Sequence, residues 1–119
     1  MSWLPGRAEL APEPLARYRE LYDGLWRTGV DPGVLSWCER RVHALVRCEP
    51  DPTAGAPLTG AQRACLAFAE QYVLDPHGLR DADFAALREH LDDAGIAALV
   101  LAVAMFDARA RFEVALEVD

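Results

Sequence analysis

The feature that most constrains the fold of this chain is an unbroken apolar run near its C-terminal end. Eleven consecutive residues, Ile96 to Phe106, carry no polar side chain. They lie in a longer stretch, residues 94–117, in which apolar residues recur at helical spacing: Leu99, Val103, Phe106, Ala110 and Val114. A helix that is apolar on every side belongs in a core or a subunit interface. Because spanning a bilayer takes about 20 apolar residues, the run predicts a buried helix and no membrane partner.

Two further helices are predicted before a proline-rich connector. The first runs from Pro14 to Arg27, with an apolar stripe that Leu21 and Trp26 widen. The second begins at Asp31-Pro32, an acidic N-cap followed by proline at the first helical position. Residues 49–58, EPDPTAGAPL, hold three prolines and form the connector.

Two more helices are predicted between the connector and the apolar run. Thr59 and Gln62 form a capping box that begins the third helix, which extends to about Leu74. The turn at residues 75–78 ends it, and a fourth, short helix capped near Asp81 follows. No period-two alternation indicates a strand. We therefore expect an all-α bundle of about five helices, a single domain at residues 14–119 behind an N-terminal arm at residues 1–13.

Charge and motif content exclude several functions. Twelve basic against 19 acidic residues give a net charge of -7, which argues against nucleic acid, since phosphate contacts need a basic face. The sequence has no glycine-rich nucleotide loop and no HExxH or GxSxG motif. The three histidines, His43, His77 and His90, are scattered along the chain. We expect no cofactor and no metal site.

The cysteines indicate a reducing compartment. Cys38, Cys48 and Cys65 are spaced by ten and seventeen residues and form no CxxC pair. This pattern predicts neither a zinc site nor a disulfide framework. The first residues also lack the apolar segment of a secretory signal. We expect a cytoplasmic protein in which Cys65 is a small core residue.

The order of these segments resembles the carboxymuconolactone decarboxylase and alkylhydroperoxidase-D-like family over residues 15–118. The likeness lies in FAE at residues 68–70, DADFAAL at 81–87, FDARARF at 106–112, and the DP-initiated helix that ends at Cys48. The resemblance implies a small all-α protein that forms homo-oligomers. Thiol-active members carry Cys-x-x-Cys-x-x-x-His at the start of a helix, with a glutamate upstream.

This chain departs from that thiol motif. Cys48 stands at the first cysteine position, Asp51 at the second, and Gly55 at the histidine position. Ser36 stands where the resemblance places the glutamate. The chain therefore resembles a shortened member without the dithiol motif, in which the connector replaces a helix.

Three functional hypotheses remain open. In the first, the protein is catalytically silent and acts through oligomerisation or binding of a protein partner. In the second, an active site has moved to a new pocket, in which Glu70 or Asp107 acts as acid or base. The pocket is lined by residues of the first two helices: Tyr22, Trp26, Trp37, Cys38 and His43. In the third, Cys48 acts as a single reactive thiol.

Overall fold

The computed structural model describes residues 12–117 of the chain. This part contains five α-helices and no strand. The predicted all-α class and number of helices are confirmed. The predicted arm lies outside the described residues except for Pro12 and Glu13, with which the first helix begins. The helices are α1 (Pro12–Gly24), α2 (Pro32–Val46), α3 (Gly60–Leu74), α4 (Asp81–Arg88) and α5 (Asp93–Glu117).

The central element of the bundle is α2. It packs against both α3 and α5, and α4 contacts the same two helices. Side chains with no more than 1% of their surface exposed come from all four of these helices and from the turn after α1. Burying one large apolar side chain contributes about 1.5–3 kcal/mol, so this shared core is the main source of stability. Its members include Leu25, Leu35, Cys38, Val42, Cys65, Leu87, Leu99 and Val103.

Helix ends follow the predicted capping chemistry. The Asp31 carboxylate accepts a hydrogen bond from the Gly33 N–H at 3.0 Å, and the Thr59–Gln62 capping box is complete. The cap of α4 is Arg80, the neighbour of Asp81, and its N–H donates to the Asp83 carboxylate at 2.8 Å. The bounds of the first helix differ from the prediction, because it starts two residues earlier and ends at Gly24, before a 3₁₀ turn over Leu25–Arg27.

The connector between α2 and α3 is an ordered turn fastened to α2. The Asp51 carboxylate accepts hydrogen bonds from the N–H of Thr53 at 2.8 Å and from its hydroxyl at 2.6 Å. The same carboxylate lies 3.6 Å from the Arg41 guanidinium on α2. Gly55 takes a φ of 74°, a left-handed conformation that glycine adopts without steric cost.

The apolar run forms the middle of α5, which is the longest helix. Its predicted core stripe is confirmed, since Leu99, Val103, Phe106 and Ala110 are buried, with Val114 half-buried at the end. Within residues 12–117, no helix meets the length and hydropathy that crossing a bilayer requires.

Candidate functional site

Cys48 lies just beyond the C-terminal end of α2, in a backbone conformation that usually requires glycine. Its φ is 55°. The Cys48 N–H donates to the Leu45 carbonyl at 3.3 Å, and the Glu49 N–H donates to the Ala44 carbonyl at 2.8 Å. These two bonds define a Schellman cap, whose left-handed position is most often glycine. Cys48 is an exposed, free thiol that closes a helix rather than beginning one.

Cys38 lies in the core between α2 and α3. Its side chain has no exposed surface, and burial, with a smaller contribution from the Cys65 thiol, raises the pKa of the Cys38 thiol. Burial likewise raises the pKa of Cys65, from 9.0 to about 11. Both thiols are free and protonated at neutral pH, so they pack as small apolar groups, as predicted for Cys65.

Glu70, a candidate acid or base, is engaged by an arginine. Its carboxylate accepts a hydrogen bond from the Arg41 Nε at 3.0 Å. Arg41 is mostly buried, with 14% of its side chain exposed, and it also faces Asp51. Glu70 therefore joins α3 to α2 and to the connector. Asp107, the other candidate carboxylate, accepts a hydrogen bond from Arg111 one turn later on α5, at 2.8 Å.

His43 lies half-buried on α2, one turn before Arg47. Arg47 binds both carboxylate oxygens of Glu117 on α5, at 2.7 and 3.1 Å. The Arg47 hydrogen bond lowers the pKa of Glu117, and the charge of His43 adds to that effect. Among the residues that the structure describes, no hydrogen bond or ion pair joins His43, Cys48 and Glu70 to one another.

The aromatic residues of the pocket hypothesis each pack onto neighbouring side chains. Tyr22 is buried, and Trp26 packs against Phe106 at a tilt, with ring centroids 5.9 Å apart. The guanidinium of Arg40 lies 4.6 Å from the centre of the Trp37 ring. Within residues 12–117, no group of three or more metal-ligating side chains could hold an ion.

A polar cluster that the sequence did not predict fastens α1 to the bundle. The Tyr22 hydroxyl donates a hydrogen bond to the Glu39 carboxylate on α2. Arg109 on α5 lies 3.8 Å from the same carboxylate, covers the Tyr22 ring at 4.8 Å and binds Glu113 at 2.9 Å. Burial, together with the hydrogen bond to Glu39, raises the pKa of Tyr22. This tyrosine is therefore a neutral donor and a structural tie.

The sequence contains part of the pattern from which this polar cluster could have been predicted. Glu39, His43 and Arg47 follow one another at i+4 steps, a pattern typical of a solvated row of ion pairs. Instead, Glu39 and Arg47 each bind a residue of another helix. A buried tyrosine also needs a partner for its hydroxyl, but helical spacing alone does not say which helix supplies it.

The outward face of α5 is an apolar stripe with little polar cover. Six apolar residues follow one another along it at spacings of 4, 3, 4, 4 and 3 residues. Leu101 is 46% exposed and Phe112 is 42% exposed, and small residues occupy the positions between and beyond them. We call this set the outward stripe; it consists of Ala97, Leu101, Ala104, Ala108, Phe112 and Ala115.

The stripe is unusual because α5 already buries its opposite face in the core. An ordinary surface helix carries polar residues on the side away from the core. Here the outward side carries Asp93 and Arg111 only at its margin. Contiguous exposed apolar patches that exceed a few hundred Å² typically mark interaction sites.

Comparison with models of protein families finds no match for this chain, and comparison with curated proteins finds none either.

Proposed function

We propose that this chain is an association protein that acts as a homo-oligomer through the outward stripe of α5. The observation that carries the proposal is the exposure of Leu101 and Phe112 on a helix whose other face is core. Removing such side chains from water on binding a second copy is favourable by roughly 25 cal/mol for each Å² of apolar surface.

The proposal includes kinship with the carboxymuconolactone decarboxylase-like proteins, in a shortened form without thiol chemistry. The supporting residues are the FDARARF segment of α5 and the helix that ends at Cys48. Two observations favour association over a site built on the candidate side chains. Cys38 is enclosed in the core, and Glu70 is held by Arg41 in a tie between helices.

The exposed Cys48 thiol supports a second candidate, a single-cysteine thiol protein. Its accessibility favours it. The test is the rate at which peroxide consumes this thiol, compared with the rate for free cysteine. A rate at the level of free cysteine removes this candidate, whereas a much faster rate that Cys48→Ser abolishes establishes it.

Sedimentation equilibrium on three proteins tests the association directly. We expect the unaltered chain to gain mass as its concentration rises from low to several hundred micromolar. Phe112→Glu places a charge on the stripe and should leave a monomer. Leu74→Glu is the matched control, because Leu74 is 68% exposed at the end of α3 and is not part of the stripe.

The controls decide how each outcome is interpreted. Circular dichroism and thermal unfolding should show that all three proteins keep the same helical fold. A mass that stays at 13.1 kDa throughout contradicts the proposal. Equal association by Phe112→Glu and the unaltered chain also contradicts it, because the contact would then lie elsewhere.

A further inference from the structure

We propose that α1 is a strap that detaches from the bundle as a unit while α2–α5 remain folded. Its opening uncovers the side chains of α2 and α5 that Tyr22 contacts, which are Glu39, Phe106 and Arg109. The inference goes beyond the proposed association and does not depend on it. Three features carry it: how little of α1 is buried, which side chains hold it, and where the buried anchors of the chain begin.

Most of α1 faces water. Of its 13 residues, Tyr22 alone is buried, and Leu15, Tyr18 and Gly24 are half-buried. Each of α2, α3 and α5, in contrast, buries several side chains in the shared core. A segment with few buried apolar contacts opens at a lower free energy than the core of the same protein. We therefore expect α1 to open more easily than α2, α3 and α5.

Two tyrosines one turn apart hold α1 against the bundle. The Tyr18 hydroxyl donates to the Met105 carbonyl of α5 at 3.1 Å, and the Tyr22 hydroxyl donates to the Glu39 carboxylate of α2. The Tyr22 ring also meets Phe106, with ring centroids 5.7 Å apart. Because residues at i and i+4 lie on one face of a helix, breaking these contacts together releases α1 as a unit.

The anchors to the core begin directly after α1. Leu25 is 1% exposed and Val30 is 3% exposed, so the turn that follows α1 stays bound to the core when the strap opens. The detached segment would then be 13 residues long. Isolated helices shorter than about 12–15 residues are marginal in water, so α1 should unfold when it detaches. Its backbone amides then exchange with solvent.

Amide hydrogen exchange on the full chain measures the opening. We expect the amides of residues 18–24 to share one protection factor, at least tenfold below that of the most protected amides of α2 and α5. Their exchange should respond weakly to added urea, because detaching α1 exposes less surface than unfolding the whole chain. Equal protection and equal urea dependence for α1 and the core overturn the proposal. Exchange of α1 at the rate of an unfolded chain also overturns it.

Two substitutions separate opening of the strap from unfolding of the core. Tyr22→Phe removes a hydrogen bond that exists only in the closed state, so it should accelerate exchange of the α1 amides roughly tenfold. Arg41→Ala weakens the tie of α2 to α3 and to the connector, which stays formed in the open state. It should accelerate the most protected core amides roughly fivefold and leave the α1 amides unchanged.

Each variant has an outcome that contradicts the strap. Equal acceleration of α1 and core amides by Arg41→Ala would mean that α1 opens only when the whole chain unfolds. Unchanged α1 exchange in Tyr22→Phe would mean that the bond to Glu39 does not hold the strap closed. If Arg41→Ala does not fold, the urea dependence of exchange in the unaltered chain decides between the two modes of opening.

Discussion

The Tyr22 hydroxyl donates a hydrogen bond to the Glu39 carboxylate, and this bond ties α1 to α2 beneath the guanidinium of Arg109. The sequence predicted an apolar stripe for α1, but it did not predict this bond to α2. The tie makes the position of α1 depend on a few side-chain contacts, since α1 contacts the other long helices only sparsely.

Removing the Tyr22 hydroxyl should therefore destabilise the fold. Hydrogen bonds to charged groups contribute about 1.5–3 kcal/mol, so we expect Tyr22→Phe to lower the free energy of unfolding by a value near the bottom of that range. Tyr72→Phe is the matched control, because Tyr72 is a half-buried tyrosine that packs against Phe68. Urea unfolding followed by circular dichroism measures both. Equal losses for the two variants would show that the Glu39 bond contributes nothing specific.

The ion pairs of Arg41, which are half-buried, can be compared with a fully exposed pair. Arg41→Ala leaves the Glu70 and Asp51 carboxylates, which are 37% and 34% exposed, without their cation, and we expect a loss of about 1 kcal/mol. Arg17→Ala breaks an ion pair with Glu13 whose partners are 78% and 77% exposed, and it should change stability by less than about 0.5 kcal/mol. Similar urea midpoints for the two variants would mean that Arg41 does not hold the connector in place.

Cys48 occupies a position where glycine should be more stable. Non-glycine residues in the left-handed region cost about 1 kcal/mol or more, so Cys48→Gly should raise the free energy of unfolding by about 0.5–1 kcal/mol. Cys48→Ala keeps a Cβ atom, and with it the backbone strain, and therefore serves as the control. If Cys48→Ala stabilises the protein as much as Cys48→Gly does, the gain comes from losing the thiol and not from the backbone.

Alkaline pH should weaken the fold through its buried thiols. The pKa of Cys65 is raised from 9.0 to about 11 in the folded chain, so the unfolded chain releases this proton first. Stability is therefore fully present below pH 9 and declines as the pH rises toward about 11. Thermal unfolding at a series of pH values measures the decline, and Cys65→Ala should make it shallower. An unchanged slope in Cys65→Ala would remove this thiol as the cause.

The sequence was informative where local chemistry decides the outcome. The Asp31-Pro32 start of α2 and the Thr59–Gln62 box depend on residues within one turn, and both are confirmed. Leu21, predicted to widen the apolar stripe of α1, is instead 53% exposed. Whether Leu21 is buried depends on which face of α1 packs against α2 and α5, and helical spacing does not determine that packing.

The outward stripe could not be assigned from the sequence for a different reason. The apolar run of α5 has almost no polar residues, so its periodicity does not distinguish a core face from an exposed one. Only the packing of Leu99, Val103 and Phe106 against the other helices makes Leu101 and Ala104 the outward residues. The Tyr22 cluster was missed similarly, because Arg109 lies 87 residues after Tyr22 in the chain.

Dilution followed by solution NMR tests the central claim most directly, because it locates the contact without altering the chain. Association through the outward stripe predicts amide and methyl shifts that change with concentration along α5, strongest at Leu101, Ala104 and Phe112. The resonances of α4 and of the α3 end at Leu74 should stay fixed. Spectra that do not change between low and high micromolar concentration, or changes centred on another helix, would contradict the account.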